Sequence, residues 1–283
     1  VTLKQVNKSG FPFQLKIVRE ITNSKNEHGW LVSSTEHPWT SKDKEASGYI
    51  DIVLSHQRIP TARMVVECKR IRSNDGRQLR WVFLANEDSP QSTGTASCFE
   101  VEGRGERVGS GSYEWRDIRI WDNVFLNPRS YESQFCILSA DEPQRQPLLE
   151  RLASEVLESI EGIAEEEARM IRSQKGNRLR LFIFPTIVTN AELSICRFDS
   201  NNVNIEDGTL TAESVALTTV PFVRFRKSVG TDFPNGEFYG LNDANKARER
   251  TVFIVNSSRI SEFLTGWEFA PLSGKYAVQY LME

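Results

Sequence analysis

Two acidic residues and a lysine in the first quarter of the chain have the residue types and spacing that metal-assisted hydrolysis uses. Asp51 lies inside one apolar segment, and Glu67, Cys68 and Lys69 end the next apolar segment along the chain. Because side chains alternate along a strand, we expect Glu67 and Lys69 on one face and the Cys68 side chain on the other. Burying a carboxylate at the end of so apolar a strand is unfavourable unless a cation neutralises it.

An adjacent strand that delivers Asp51 would bring two carboxylates and an ammonium group together. Two carboxylates suit Mg²⁺ or Mn²⁺, which are hard cations that prefer oxygen ligands and keep several waters. Such a metal lowers the pKa of a bound water and stabilises charge on a phosphoryl group during transfer. The Lys69 side chain could then orient that water, or deprotonate it as the neutral amine, or neutralise the transition state as the ammonium.

The elements that must position these residues can be predicted from periodicity. A helix is expected over 11–25, with Pro12 in its first turn, where a missing N–H is harmless, and with Gly29 just beyond its end. The apolar face of this helix is predicted to contain Phe11, Leu15, Val18 and Ile21, with Phe13 and Ile17 extending its edge. Three strands in a meander are expected to follow, at 30–34, 47–54 and 62–69.

The rest of the chain is predicted to elaborate this unit. A long amphipathic helix is expected over 143–172, because apolar residues recur there at three- and four-residue steps. Two strongly apolar strands are expected next, at 179–188 and 192–198, joined as a hairpin by the turn at 189–191. A loop is predicted near 103–112, which is rich in glycine. No segment is a convincing linker, so the sequence predicts one elaborated α/β domain over 1–283.

Asp51, followed by a turn and by a hydrophobic strand that ends in Glu67-Cys68-Lys69, resembles the motif of the PD-(D/E)XK, or restriction-endonuclease-like, nuclease superfamily. The residue before Asp51 is Ile50, where the motif's name has proline, and many members of this superfamily also depart there. The order helix, three strands, helix, strand is similar to the core of that superfamily. The resemblance implies a restriction-endonuclease-like α/β core over 11–69 and 143–198. It also implies an insertion at 70–142 and a C-terminal α+β extension at 199–283.

The same resemblance implies roles for individual residues. Asp51 and Glu67 would be metal ligands, the backbone carbonyl of Cys68 a further ligand, and Lys69 the catalytic lysine, with Mg²⁺ or Mn²⁺ as the cofactor. Members of the superfamily often add a glutamate from the first helix.

Glu20 is our candidate for that helix glutamate, and it would serve both as a ligand and in catalysis. Glu27 points in nearly the same direction and is the alternative.

The resemblance implies a metal-dependent nuclease that hydrolyses phosphodiester bonds of nucleic acid, DNA being favoured over RNA. A role in prokaryotic restriction, anti-phage defence or DNA repair would follow, in a homodimer or as a subunit of a defence complex. The alternative is a catalytically inactive subunit that keeps the fold and binds a protein or nucleic-acid partner. The near-neutral net charge favours this alternative, whereas the presence of Asp51, Glu67 and Lys69 together disfavours it.

Composition narrows the class of protein. The 283 residues include 35 Lys plus Arg and 38 Asp plus Glu, a net charge of −3, so any nucleic-acid site must be a local basic patch. The four cysteines form no CxxC pair, which disfavours a zinc knuckle or a disulfide framework. The longest apolar stretch falls short of the roughly 18 residues of a membrane span, and no signal-peptide pattern is visible. We therefore expect a cytoplasmic protein without a membrane partner.

Overall fold

The computed structural model describes residues 2–40, 46–59, 62–71, 79–86, 96–103, 111–118, 125–126, 128–138, 148–172, 182–228, 241 and 248–269. The helices are α1 (Leu3–Lys8), α2 (Phe11–His28), α3 (Leu148–Arg172) and α4 (Ile260–Thr265). The strands are β1 (Trp30–Thr40), β2 (Ser47–His56), β3 (Ala62–Lys69), β4 (Arg80–Asn86), β5 (Ala96–Gly103), β6 (Gly111–Ile118), β7 (Phe125–Leu126), β8 (Tyr131–Ser133), β9 (Phe135–Leu138), β10 (Phe182–Thr189), β11 (Glu192–Phe198), β12 (Val215–Val220), β13 (Phe222–Ser228), β14 (Glu249–Asn256) and β15 (Glu268–Phe269). None of the described helices is both long and apolar enough to cross a membrane.

The prediction of a mixed α/β protein is confirmed, and the first four predicted elements are present. Helix α2 begins at the expected residue and ends at Gly29, which has a φ of 74° and caps the helix in the left-handed conformation. Strand β1 extends six residues beyond its predicted end at Ser34. Most of the predicted loop near 103–112 lies outside the described residues, and so does the whole predicted start of the long helix at 143–147.

A nine-stranded mixed sheet forms the centre of the fold. Its main path is β1-β2-β3-β10-β14-β13-β8, with β5 attached to β10 and β6 to β5. Strand β2 is antiparallel to both β1 and β3, whereas β10 lies parallel to both β3 and β14. Strands β13 and β14, from the predicted C-terminal extension, therefore belong to the same sheet as β3.

The predicted hairpin between the strands before and after 189–191 is wrong. Strand β10 pairs with β3 and β14 in the large sheet, whereas β11 pairs with β4 and β12 in a separate four-stranded sheet. The chain changes sheets at Asn190 and Ala191. This change is fixed by hydrogen bonds, because the Asn256 side chain donates to the Ala191 carbonyl (2.7 Å) and Thr189 Oγ1 accepts from the Ala191 amide (3.2 Å).

Apolar clusters lie on both faces of the large sheet. One contains the buried stripe of α3, which is the stripe predicted from the sequence, together with the inner face of the four-stranded sheet. The other contains α4 and one side of α2. The buried side of α2 is rotated from the predicted one: Ile17 and Ile21 are buried, but Leu15 is 65% exposed, and the polar Gln14 lies within the buried stripe.

Candidate functional site

Strands β2 and β3 separate where the predicted site residues lie. Their last paired residues at this end are Ile52 and Val66. The next pair would be Asp51 and Glu67, but instead the Asp51 carboxylate accepts a hydrogen bond from the backbone N–H of Cys68 (2.6 Å). A side chain therefore replaces the main-chain ladder at this point and leaves room between the strands.

The end of β3 is held in place from its other side. The β10–β3 ladder continues through Lys69, which is paired with Thr189. Beyond it, Asn190 substitutes for a strand residue: its Oδ1 accepts from the Ile71 amide (2.6 Å) and its Nδ2 donates to the Ile71 carbonyl (3.0 Å). Because β10 holds the strand while β2 departs, Glu67 and Lys69 project into an opening of defined position.

This opening is a cavity of about 390 Å³ at the edge of the sheet. It brings together Asp51, Glu67, Cys68 and Lys69, as the sequence predicts. The remaining lining comes from the α1–α2 corner, from β1 and from the residue after β3: Lys8, Ser9, Gly10, Phe11, Gln14, Glu36 and Arg70. Acidic and basic side chains therefore face one another across a small polar space.

The two carboxyl groups are perturbed by their surroundings. Burial raises the pKa of Asp51 to about 6, against the hydrogen bond from Cys68, which lowers it; Glu36 adds a repulsion. Burial also raises the pKa of Glu67 to about 8, and the charge of Asp51 raises it further. Lys69 opposes both shifts but does not cancel them.

Lys69 forms no ion pair within 4.0 Å with any residue in the described ranges, and its side chain is half-buried in the cavity wall. Burial and the neighbouring carboxylates raise the pKa of the Cys68 thiol well above its usual range, and sulfur is a soft ligand that hard cations such as Mg²⁺ do not prefer. A protonated thiol is a poor ligand, so any ligand from this residue would be its backbone carbonyl.

The structure does not bring Glu20 or Glu27 to the cavity. Glu20 forms an ion pair with Lys16 one helical turn away, and Glu27 is exposed near the end of α2. Both lie more than 100° around the helix axis from Gln14, the residue of α2 whose side chain is buried toward the site.

Two further residues of the site were not predicted from the sequence. Gln14 is 6% exposed, and its Nε2 donates to Glu36 Oε1 (2.6 Å) and to the backbone carbonyl of Asp51 (2.9 Å). Glu36 lies in β1 opposite Asp51, between the register pairs Thr35–Ile52 and His37–Ile50. In the structure His37 and Trp39 are half-buried on alternate positions of β1; in the sequence, Trp39 is the one apolar side chain that could have indicated that the strand continues past Glu36.

Among the residues that the structure describes, no group of three or more histidine, cysteine, aspartate or glutamate side chains is arranged to hold a metal ion. A metal at this cavity would therefore be held by Asp51 and Glu67 with backbone and water oxygens. Comparison of the chain with protein-family models, with curated proteins and with solved structures gives no match.

Proposed function

We propose that this protein is a metal-dependent nuclease with a restriction-endonuclease-like core, which hydrolyses phosphodiester bonds in nucleic acid, DNA being favoured. One observation carries the proposal: Asp51, Glu67 and Lys69 converge in one cavity at the point where β2 and β3 separate. The order of the elements supports it, since α2 and the β1–β3 meander are followed by α3 and by β10 parallel to β3.

The cavity residues fit a hard divalent cation. Two half-buried carboxyl groups lie side by side with raised pKa values, and no described basic side chain lies within 4.0 Å of Glu67. A divalent cation would stabilise their ionised forms. Mg²⁺ is commonly held by only one or two carboxylates with waters, so the donor set of Asp51, Glu67 and the Cys68 carbonyl is sufficient. When bound, such an ion polarises a phosphoryl oxygen and lowers the pKa of a ligand water.

The chain's own residues supply the other requirements of the reaction. Lys69 projects from the same strand end as Glu67, so its ammonium can donate to the attacking water or to a phosphoryl oxygen. Lys8 and Arg70 line the same cavity and can contact the flanking phosphates of a bound strand. Local cations of this kind reconcile nucleic-acid binding with a net charge of −3.

The direct test compares the wild type with Lys69→Ala on labelled single- and double-stranded DNA and RNA, in Mg²⁺, in Mn²⁺ and in EDTA. We expect cleavage that requires the metal and falls by about 10²- to 10⁴-fold in Lys69→Ala. Lys16→Ala is the matched control, because Lys16 is exposed on α2, pairs with Glu20 and does not line the cavity.

Thermal melting with and without Mn²⁺ separates this proposal from an inactive, partner-binding subunit. A ligand that binds only the folded state raises the melting temperature by mass action. If no substrate is cleaved and Mn²⁺ does not raise the melting temperature, the nuclease proposal is refuted and the inactive subunit is favoured. A rise without cleavage would show a metal site but refute the nuclease on the substrates offered.

A further inference from the structure

We infer that Glu36, held by Gln14, is the outer acidic group of the site. This inference rests on the proposed metal-dependent function. Glu36 and Gln14 act here as positioning residues: they strengthen the binding of a divalent cation between Asp51 and Glu67 without being ligands themselves.

The backbone of Glu36 is the first observation. Its φ is 51°, and it is the only described residue other than glycine with a positive φ. The left-handed conformation is unfavourable for glutamate, whereas glycine, asparagine and aspartate adopt it more readily. Strain of this kind persists where the surrounding structure enforces it, and it recurs at functional sites.

The Gln14 amide supplies the second observation. A buried side-chain amide in a helix stripe next to Ile17 and Ile21 needs hydrogen-bond partners, and Gln14 has two of them at the site. Its one Nε2 donates to the Glu36 carboxylate and to the Asp51 backbone carbonyl, so the amide ties the outer carboxylate to the strand that carries an inner one. Helix α2 thus contributes an amide to this site, whereas its own glutamates point elsewhere.

The direction of the Glu36 carboxylate is the third observation. It lines the cavity, and its charge acts on both Asp51 and Glu67, since it raises the pKa of each. Gln14 occupies Oε1, and no described residue donates to Oε2. Oε2 is therefore available to accept a hydrogen bond from a water ligand. Groups outside the ligand set that hold ligands in place typically change metal affinity by about 10- to 100-fold.

Glu36→Asn tests this role, because asparagine tolerates the left-handed conformation but carries no charge. We expect the metal-free variant to melt at or above the wild-type temperature. Its Kd for Mn²⁺, measured by titration calorimetry, should rise about 10- to 100-fold. Gln14→Met, which keeps the length of the side chain but cannot donate, should raise the same Kd. Glu20→Gln, on the same helix but away from the cavity, should leave it unchanged.

The outcomes separate this inference from the function on which it rests. If the wild type binds Mn²⁺ and cleaves, but Glu36→Asn binds Mn²⁺ equally well, the role of Glu36 is wrong and the nuclease stands. If the Kd for Mn²⁺ rises more in Glu20→Gln than in Glu36→Asn, the outer acidic group is Glu20 on the helix and not Glu36. If the wild type binds no Mn²⁺ at all, the metal-dependent function and this inference fail together.

Discussion

The replacement Glu67→Gln should stabilise the metal-free protein above neutral pH, and the gain should grow with pH. The ordinary pKa of glutamate is near 4.5, but burial and the charge of Asp51 raise that of Glu67 to about 8 in the folded state. The folded protein therefore keeps this proton over a range in which the unfolded chain has released it. Stability from this source is complete below pH 4.5 and is lost as the pH rises through 8.

The magnitude follows from the size of the shift. At about 1.4 kcal/mol per pKa unit, a rise from 4.5 to about 8 corresponds to about 5 kcal/mol over the full range. Between pH 5.5 and 8.5 the loss would be about 3 kcal/mol. The Asp51 carboxyl, with a pKa of about 6, titrates inside this window in both proteins, so its contribution largely cancels in the difference between them. Glutamine has nearly the same shape and no titration, so the variant lacks this loss.

The assay is urea unfolding of the wild type and Glu67→Gln in EDTA, at half-unit steps from pH 5.5 to 8.5. The difference in the free energy of unfolding should grow by about 3 kcal/mol in favour of the variant. Added Mn²⁺ should reverse the order, because only the wild type retains both carboxylates for the ion. A difference that stays constant within about 0.5 kcal/mol over this range would refute the reasoning, since it would mean that Glu67 is not desolvated.

Two other predictions concern the frame of the site. Gly29→Ala should lower the free energy of unfolding, measured in urea, by at least about 1 kcal/mol. The reason is that Gly29 has a φ of 74° and a new Cβ would lie 3.0 Å from Nε2 of His56. Equal stability of the variant and the wild type would show that the end of α2 can rearrange. Asn190→Ala should lower the free energy of unfolding by about 1–3 kcal/mol and also weaken Mn²⁺ binding. The reason is that the two hydrogen bonds from Asn190 to Ile71 hold the end of β3 in place. A loss of stability with unchanged Mn²⁺ binding would show that the site does not depend on these hydrogen bonds.

The local elements were predictable because periodicity is a property of short segments. Strand β3 has the predicted bounds, and α2 begins where Pro12 indicates. The stripe of α3 is buried as its three- and four-residue steps predict. The juxtaposition of Asp51 with Glu67 followed from the meander, since neighbouring antiparallel strands with a short connection place such residues near each other.

Pairings between distant segments could not be predicted in this way. The β10–β3 ladder joins residues more than 110 positions apart, and no local pattern distinguishes it from a hairpin with β11. An apolar strand, a two-residue connection and a second apolar strand give the same local signal whether the chain turns back or crosses to another sheet. Here the side chains of Asn190 and Asn256 decide the outcome, through partners that only the folded chain provides.

On the helix side, the residue that the structure places at the cavity differs from the predicted one for a related reason. A search for an acidic side chain on α2 selects Glu20, because glutamate is the expected type. The buried stripe of the helix runs instead through Gln14, Ile17 and Ile21, and a polar residue in such a stripe is hidden when only apolar residues are counted. Glu36 was missed for a different reason, because it lies just beyond the point at which the apolar part of β1 ends.

The burial of Gln14 within the helix stripe also indicates how the site works. A buried amide such as Gln14 is tolerated only where it has partners, and both of its partners belong to the cavity wall. The polar group that weakens the local helix pattern is therefore the group that joins α2 to β1 and β2. A site that opens where β2 leaves β3 loses main-chain hydrogen bonds, and side-chain bonds from Gln14 and Asp51 replace them. Breaking the Gln14 contacts should consequently disturb metal binding more than it disturbs the fold.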